Sequence, residues 1–212
     1  TCRTVKNDYK EKSRASFDRQ AREYDSKPYG RHARRLHDDV MAAVERFGFE
    51  DVLDVGCGTG ATLAAIATRR PGVRLRGIDL SPAMIGVARE RLGDGADLRV
   101  CDAESLPFAD ASVDLLTCVD SLHHYPQPHV ALAEMHRVSR PGGGLVLGEW
   151  RVAAPFRRLM NWLLPLMPEG DVRIYTCREL TSLAEGAGYR VLSCVRAGVR
   201  GQLLVALKEN QR

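Results

Sequence analysis

The sequence predicts an α/β fold, a doubly wound and mostly parallel sheet with helices on both faces. Short apolar runs rich in Val, Leu and Ile alternate with helix-like segments through the middle of the chain, as in parallel strands buried on both faces. Two further apolar runs, 189–196 and 202–207, are joined by "AGVRG", which is too short for a crossover helix. We therefore expect the sheet to end in an antiparallel hairpin.

The N-terminal part of the chain is predicted to be helical. Residues 8–25 and 29–47 form two helical patterns separated by "KPYG", and we expect 1–48 to cap the sheet. Residues 1–37 hold eleven Lys or Arg against five Asp or Glu, which is compatible with a nucleic-acid surface. The basic residues are spaced along helices and are not interleaved with exposed aromatics, which favours solvated helix faces.

The segment 49–150 is predicted to form the core of the domain. Ser81 and Pro82 mark the start of a helix that runs to about Arg91. A later helix starts near Pro128 and ends before "SRPGGG", whose glycines we interpret as a turn. The predicted strands, which the hairpin brings to seven, are 52–55, 73–79, 97–101, 113–119 and 143–149.

The C-terminal part begins with an apolar insertion at 151–175, predicted to be a lid. Within it, "AAPFRRLMNWLLPLMP" at 153–168 is apolar and bounded by prolines. The capping box "TCRE" at 176–179 opens a helix that stops at "GAGY". We expect 176–212 to form this helix and the hairpin, and 1–212 to form a single domain.

The bulk composition predicts a cytoplasmic globular protein. Of 212 residues, 44% are hydrophobic and 27% charged, and no apolar run is long enough to suggest a membrane span or a leader. The six cysteines contain no C-x-x-C pair, so neither disulfides nor structural zinc is expected.

A glycine-rich loop follows the first predicted strand in "VLDVGCGTG", residues 52–60. Gly56, Gly58 and Gly60 permit a tight turn and a close approach of a ligand to backbone amides. With Ala61 the loop also satisfies G-x-G-x-x-A, the pattern of a dinucleotide fold. The loop therefore predicts a cofactor site of one of two classes.

Acidic residues at three strand ends discriminate between these classes. Asp54, just before the loop, would repel a pyrophosphate but would suit a ligand with a cationic end. Asp79 ends the next strand, where a carboxylate can accept hydrogen bonds from both hydroxyls of a ribose. Asp102 could accept a hydrogen bond from an adenine amino group, while the amide of Ala103 donates a hydrogen bond to a ring nitrogen. We expect all four groups at the carboxyl edge of the sheet.

Four motifs resemble those of class I S-adenosylmethionine-dependent methyltransferases. They are "VLDVGCGTG", "GIDLSPAMIGVARERL", "CDAESLPFADASVDLLTCVDSLHHYPQP" and "EMHRVSRPGGGLVLGEW". The similarity covers about 17–150 and is strongest to the type 11 group, which includes quinone-biosynthesis methyltransferases. "FDRQAREYD" also resembles the N-terminal segment of that family, in which the tyrosine, here Tyr24, closes over the cofactor.

The resemblance implies S-adenosylmethionine as cofactor, S-adenosylhomocysteine as product, and no metal. The glycine loop and Asp54 would hold the methionine moiety, Asp79 the ribose, and Asp102 with Ala103 the adenine. The backbone near Val119 would meet the amino group. The implied cofactor-binding residues are Tyr24, Asp54, Gly56, Cys57, Gly58, Thr59, Gly60, Asp79, Leu80, Met84, Asp102, Ala103, Glu104 and Val119.

The motif "DSLHHYPQPH" supplies candidates for catalysis. His123 and His124 follow the fourth strand, at the crevice, and histidine is the natural proton acceptor near neutral pH. Packing against the sheet is an equally good interpretation of either residue. A metal site using both with His129 is disfavoured, because adjacent histidines diverge and no carboxylate follows them. The remaining histidines, read as surface or packing residues, are His32, His37 and His136.

The methyl acceptor is poorly specified by the sequence. The candidates for acceptor contact are Tyr29, Tyr125, Trp150 and Trp162. The N/D-P-P-Y signature of many base methyltransferases is missing, and "DSLHHY" stands in its place, so a nucleic-acid partner is disfavoured.

We expect methyl transfer to a small-molecule acceptor by in-line displacement, in a monomer or homodimer. The alternatives are a nucleic-acid methyltransferase that uses the basic N-terminal helices, a NAD(P)-dependent oxidoreductase, and a cofactor-binding protein without catalysis.

Overall fold

The computed structural model describes residues 2–164, 167 and 170–210, and the side chains from 8–27 and from 36 onward within them. It contains one seven-stranded sheet in the order β3-β2-β1-β4-β5-β7-β6. Only β7 runs antiparallel to its neighbours, as predicted for the hairpin. The strands are β1 (Asp51–Val55), β2 (Arg74–Asp79), β3 (Ala96–Val100), β4 (Val113–Val119), β5 (Ser139–Trp150), β6 (Tyr189–Ala197) and β7 (Gly201–Lys208). This confirms the predicted fold class.

The helices connect the parallel strands and cover both faces of the sheet. A 3₁₀ turn at Ala21–Ser26 joins the first two helices, and another at Leu122–His124 follows β4. The α-helices are α1 (Cys2–Gln20), α2 (Pro28–Val44), α3 (Ala61–Arg69), α4 (Pro82–Leu92), α5 (Pro128–Val138), α6 (Ala154–Leu163) and α7 (Cys177–Gly186).

The two faces of the sheet bury separate apolar clusters, because successive side chains of a strand point to opposite faces. Leu53 belongs to the cluster that includes Leu132 of α5 and Leu180 of α7. Val52, its neighbour in the chain, belongs to the cluster that includes Ile66 of α3. Both strand residues are fully buried. The strand order reverses between β1 and β4, which opens a crevice at the carboxyl edge of the sheet.

Two element boundaries differ from the sequence-based expectation. The first helix begins earlier than predicted, at Cys2, and the break before α2 is confined to Lys27, because Pro28 already occupies the first turn of α2. The glycines expected to form a turn lie within β5 as a bulge. Ser139 pairs with Val113 and Gly144 with Leu115, so 140–143 leave the ladder between these pairs.

The capping box that was predicted at the start of the C-terminal helix is present. Thr176 Oγ1 accepts from the amide of Glu179, and the Glu179 carboxylate accepts from the amide of Thr176. Five cysteines in the described part of the chain are free thiols. Across the same residues, no helix has both the length and the apolar character needed to cross a bilayer.

Candidate active site

The crevice at the carboxyl edge of β1, β2 and β4 is a cleft of about 1140 Å³, including the space open to solvent. Its walls contain every residue predicted to bind the cofactor except Gly60, which lies at the start of α3. These residues come from chain segments as far apart as Tyr24 and Val119. The fold therefore brings the separate strand-end motifs to one site.

Glycine is required in the loop after β1. The amides of Gly56 and Cys57 both donate to the carbonyl of Ile78, at 2.9 Å, which draws the loop against β2. Gly56 has φ of 76°, and a Cβ there would lie 1.9 Å from Ser121 Oγ. Gly58 has φ of 52°, and a Cβ there would meet no atom within 4 Å, so the loop leaves open space beside it.

Asp79 joins the glycine loop to the start of α4. Its Oδ2 accepts from the amide of Gly58 at 2.9 Å, and its Oδ1 accepts from the amide of Ser81 at 2.8 Å. Burial raises the pKa of Asp79, and the two backbone hydrogen bonds oppose this rise. Each carboxylate oxygen keeps further acceptor capacity, so Asp79 can still bind a hydroxyl donor in the cleft.

Asp54 lies at the base of the cleft and is buried. Thr117 Oγ1 donates a hydrogen bond of 2.6 Å to its Oδ1. Burial raises the pKa of Asp54 to about 7; the Thr117 hydrogen bond lowers it, and the charge of Asp79 raises it further. Two carboxylates held close together in a low dielectric favour the binding of a cation.

The N-terminal helix closes the side of the cleft that faces the predicted adenine-binding residues. Lys10 Nζ lies 2.6 Å from Asp102 Oδ2 and 2.6 Å from Glu104 Oε2. The side chain of Lys10 is 20% exposed. The sequence suggested that the basic residues of the N-terminal helices lie on solvated faces. Lys10 instead forms ion pairs at the site.

Two further carboxylates attach the N-terminal cap to the cofactor cleft. Asp18 Oδ1 accepts from Ser81 Oγ at 2.6 Å. Asp25 accepts from Thr59 Oγ1 at 3.0 Å and pairs with the guanidinium of Arg91. The cap is thus hydrogen-bonded to the glycine loop and to α4, the two elements that line the cofactor side.

Aromatic contacts link the cap to the histidine pair. Phe17 packs edge-on against Tyr24, with ring centroids 5.9 Å apart, and against His124, with centroids 4.9 Å apart. Tyr24 and His124 both line the cleft. Phe17 therefore separates the residue expected to cover the cofactor from the candidate base.

The two candidate catalytic histidines have different surroundings. His124 lines the cleft, whereas His123 is buried behind it and is not part of the lining. His123 Nδ1 lies 2.7 Å from Glu149 Oε2. His124 Nδ1 lies 2.9 Å from Asp171 Oδ1, without the angle of a linear hydrogen bond. Each histidine thus has its own carboxylate partner.

These surroundings shift the two histidine pKa values in opposite directions. For His123 burial acts to lower the pKa, but the charge and hydrogen bond of Glu149 outweigh it and raise the pKa to about 9. For His124 burial and the charge of His123 lower the pKa, and Asp171 offsets only part of the change. At neutral pH His123 is cationic and His124 is neutral.

The described residues bring potential metal ligands together around the histidine pair. The sequence suggested that no carboxylate accompanies the histidines, but Asp171 and Glu149 reach them through the fold. Glu149 Oε2 lies 2.7 Å from His123 Nδ1, and Asp171 Oδ1 lies 2.9 Å from His124 Nδ1. The sets whose ligand atoms converge are His123, His124 and Asp171, and Asp120, His123 and Glu149.

The predicted acceptor residues do not share one position. Tyr125 lines the cleft, where its hydroxyl lies 2.8 Å from Ser121 Oγ. Trp150 packs near His123, with ring centroids 6.0 Å apart, and its indole N–H is buried without a partner. Trp162 is 73% exposed on α6, away from the cleft lining. The side chain of Tyr29 lies outside the described residues.

Several lining residues were missed by the sequence analysis. Phe17 and Asp25 belong to "FDRQAREYD", so the resemblance of that segment could have indicated them. Asp120 has φ of 49°, a left-handed conformation that Asp tolerates and that occurs at functional sites. No sequence pattern around Asp120 predicts that it lines the cleft. Those missed are Lys10, Ser13, Arg14, Phe17, Asp25, His37, Ala61, Thr62, Ile78, Ser81, Cys101, Asp120, Ser121 and Pro126.

The cleft fits S-adenosylmethionine, which carries an ammonium and a sulfonium but no phosphate. Carboxylates line it at Asp54, Asp79 and Asp102, and apolar side chains line it at Leu80 and Met84. The glycine loop carries no Lys or Arg that would pair with a pyrophosphate. The open space beside the loop and these three carboxylates suit a ligand with a cationic end and hydrogen-bond donors.

Comparisons with known proteins agree with this geometry. Residues 53–147 match a family model described as a methyltransferase domain. The methyltransferase GfsG of Streptomyces halstedii is 31% identical over 176 residues, which are 78% of this chain and 62% of that protein. A demethylmenaquinone methyltransferase of Renibacterium salmoninarum is 37% identical over 163 residues, 73% of this chain and 66% of that protein. The chain therefore spans about two thirds of the length of these curated relatives.

A solved structure agrees in fold. The methyltransferase from Haloferax volcanii, solved in complex with the Trm112 methyltransferase activator, superposes with a TM-score of 0.78 at 21% identity, over 94% of this chain and 99% of that chain. The matches favour a methyltransferase over a dinucleotide oxidoreductase or a nucleic-acid enzyme. The cleft, the strand order and the relatives lead to one conclusion: the chain belongs to the class I S-adenosylmethionine-dependent methyltransferases, in the type 11 group.

Proposed function

We propose that the chain transfers the methyl group of S-adenosylmethionine to a small-molecule acceptor that carries an ionisable hydroxyl. The supporting observation is His124, a neutral imidazole in the cleft wall, with Asp171 at 2.9 Å from its Nδ1. A neutral histidine can accept a proton from a bound acceptor, and such base catalysis contributes roughly 10²–10⁴-fold to a rate.

The cofactor supplies an electrophilic methyl group on its sulfonium, and the residues of the chain orient it. In our assignment Asp79 accepts hydrogen bonds from the ribose hydroxyls, and Asp102 accepts one from the adenine amino group. Asp54 faces the ammonium. Tyr24 covers the methionine part and, with Phe17, excludes water. Alignment of the reacting atoms in a dry cleft is worth roughly 7 to 11 kcal/mol of the barrier.

The histidine pair is proposed to remove the proton of the acceptor hydroxyl. His124 lines the cleft beside Asp171, and in this assignment its neutral imidazole takes the acceptor proton. Burial is the main cause that lowers the pKa of His124, and the positive charge of His123, held by Glu149, lowers it further, so His123 acts as a positioning residue. A base that remains neutral at pH 7 is available for proton removal before methyl transfer.

We propose a quinol or another aromatic hydroxyl compound as the acceptor class. A relative named demethylmenaquinone methyltransferase supports this choice. Removal of a phenolic proton increases the nucleophilicity of both the oxygen and the adjacent ring carbon, so the same base serves O- or C-methylation. Tyr125 is the predicted acceptor contact that lines the cleft; Tyr29, Trp150 and Trp162 remain weaker candidates.

The division of the chain is proposed along the same lines. Residues 1–48 act as a cap, 49–150 as the cofactor-binding core, 151–175 as an apolar lid, and 176–212 as the closing helix and hairpin. A cytoplasmic location, a monomer or homodimer, and catalysis without a metal stay predictions from the sequence.

The test is a methyl-transfer assay with a panel of quinols and naphthols, following S-adenosylhomocysteine and the product mass. We expect turnover with at least one acceptor, and His124→Gln should lower kcat roughly 10²–10⁴-fold without a change in cofactor affinity. His129→Gln, an exposed histidine on α5, is the matched control and should keep full activity. Cofactor binding without turnover of any acceptor, or equal activity of the two variants, would contradict the proposal.

A further inference from the structure

Helix α6 presents an apolar face to solvent. Phe156 is 66% exposed, Leu159 55% and Trp162 73%, and Leu163 and Met167 are also exposed. The spacing from Phe156 to Leu159 and Leu163 is that of one side of a helix. Large apolar side chains grouped on one surface, instead of scattered, indicate an interaction site.

Two polar side chains of α6, Arg157 and Asn161, contact the rest of the protein, whereas the large apolar side chains of the helix are exposed. Asn161 Nδ2 donates to the carbonyl of Ile174 at 3.2 Å, and the amide of Ile174 donates to Asn161 Oδ1 at 2.9 Å. Arg157 Nη1 lies 3.2 Å from Glu179 Oε2. These hydrogen bonds hold the helix in an orientation that directs its apolar side outward.

Basic residues are exposed beside this face. Residues 151–168 contain three arginines and no Asp or Glu. Arg157 is paired with Glu179, whereas Arg158 on α6 and Arg200 in the turn between β6 and β7 are exposed. The amide of Arg151 donates to the carbonyl of Arg200 at 2.7 Å, so the turn between β6 and β7 lies beside the start of α6. Val199 in that turn is 75% exposed. Trp, Phe and Leu bordered by Arg are typical of helices that lie in the interface of an anionic membrane.

A second copy of the chain fits this face less well. A two-fold contact would bring the same surface of both copies together. Arg158, exposed on α6, would then approach Arg158 of the other copy, and residues 151–168 contain no acidic residue to pair with either side chain. An anionic bilayer instead offers apolar depth for the side chains and negative headgroups for the arginines.

We propose that the outward face of α6, with the Val199 turn, docks the chain on an anionic lipid bilayer. The chain that follows α6 carries Asp171 to His124 and Ile174 to Asn161, so the docking surface is directly connected to the cleft wall. Docking requires neither cofactor nor turnover, so its test is independent of the proposed methyl transfer.

The test is co-sedimentation of the chain with vesicles of phosphatidylcholine alone and of phosphatidylcholine with phosphatidylglycerol at 3:1, without cofactor. We expect binding to the anionic vesicles that weakens at high salt. Leu159→Glu/Trp162→Glu should weaken it about 100-fold, because two apolar side chains no longer enter the bilayer. Val100→Glu, an exposed apolar residue on the opposite edge strand, is the matched control and should bind as the wild type does.

The outcomes separate the possible occupants of the face. Absence of binding to anionic vesicles would overturn the proposal, as would equal binding by the double variant with an unchanged circular dichroism spectrum. If the double variant fails to fold, Arg158→Gln replaces it and should reduce binding to anionic vesicles while leaving the spectrum unchanged. A wild-type dimer that the double variant converts to a monomer, with no vesicle binding, would assign the face to self-association.

Discussion

His123 and His124 lie with ring centroids 4.1 Å apart, and yet their pKa values shift in opposite directions. Glu149 holds a proton on His123, and the resulting charge helps to keep His124 neutral. Environments that separate the pKa values of neighbouring groups are a mark of acid–base sites. The pair therefore supports the assignment of His124 as the base.

The first prediction concerns the pH dependence of turnover. Because the pKa of His124 is lowered from 6.5, the midpoint of the decrease of kcat/KM at acid pH should lie below pH 6.5. The measurement is kcat/KM from pH 5 to 8 with saturating cofactor. A midpoint above pH 6.5, or a decrease that persists unchanged in His124→Gln, would exclude this residue as the base.

The second prediction concerns stability. The pKa of His123 is about 9 in the fold and 6.5 in the unfolded chain, so its contribution is fully present below pH 6.5 and is lost as the pH rises through 9. The loss should amount to about 3 kcal/mol of unfolding free energy. Denaturant unfolding at pH 6.5 and pH 9.5 measures it. His123→Gln should lose this pH dependence, whereas His129→Gln should retain it; equal slopes in both would contradict the ion pair.

The third prediction concerns the pH dependence of cofactor binding. Asp54 has a pKa of about 7 in the free chain, so it is protonated below that pH and no longer attracts the cofactor ammonium. Affinity should fall about tenfold per pH unit below pH 7. Calorimetric titrations from pH 5.5 to 7.5 measure the slope, and Asp54→Asn should make it flat. A slope in the variant equal to that of the wild type would assign the titration to another group.

The fourth prediction concerns the ribose contact. Asp79→Asn removes a charged acceptor that also holds the amides of Gly58 and Ser81, so cofactor affinity should fall by about 1.5 to 3 kcal/mol. Asp94→Asn, an exposed carboxylate after α4, is the control and should bind as the wild type does. Unchanged binding by the Asp79 variant would remove the residue from the site.

Much of the fold could be predicted because its signals are local. The glycine loop, the acid at the end of β2 and the short "AGVRG" connection each fix a turn or a strand end within a few residues. The carboxyl ends of parallel strands then meet at one edge. This is why the predicted cofactor residues at the strand ends, Asp54, Asp79, Asp102 and Val119, line one cleft.

What the sequence could not predict depends on contacts between distant segments. Lys10 pairs with Asp102 across 92 positions, and nothing around Lys10 distinguishes it from a solvated residue. Asp171 approaches His124 because the amide of Val172 donates to the carbonyl of His123 at 2.8 Å. The hydrogen bonds between Asn161 and Ile174 hold the same segment against α6. The apolar character of α6 could be predicted from composition, but the direction of its exposed face depends on the inward contacts of Asn161 and Arg157.

Isothermal titration calorimetry shows whether the cleft binds S-adenosylmethionine. The titrants are S-adenosylmethionine and S-adenosylhomocysteine, with NAD and NADP as controls. We expect saturable binding of the first two and none of the dinucleotides, with the affinity for S-adenosylmethionine reduced in Asp79→Asn. Binding of the dinucleotides alone would contradict both the role assigned to Asp54 and the cofactor class.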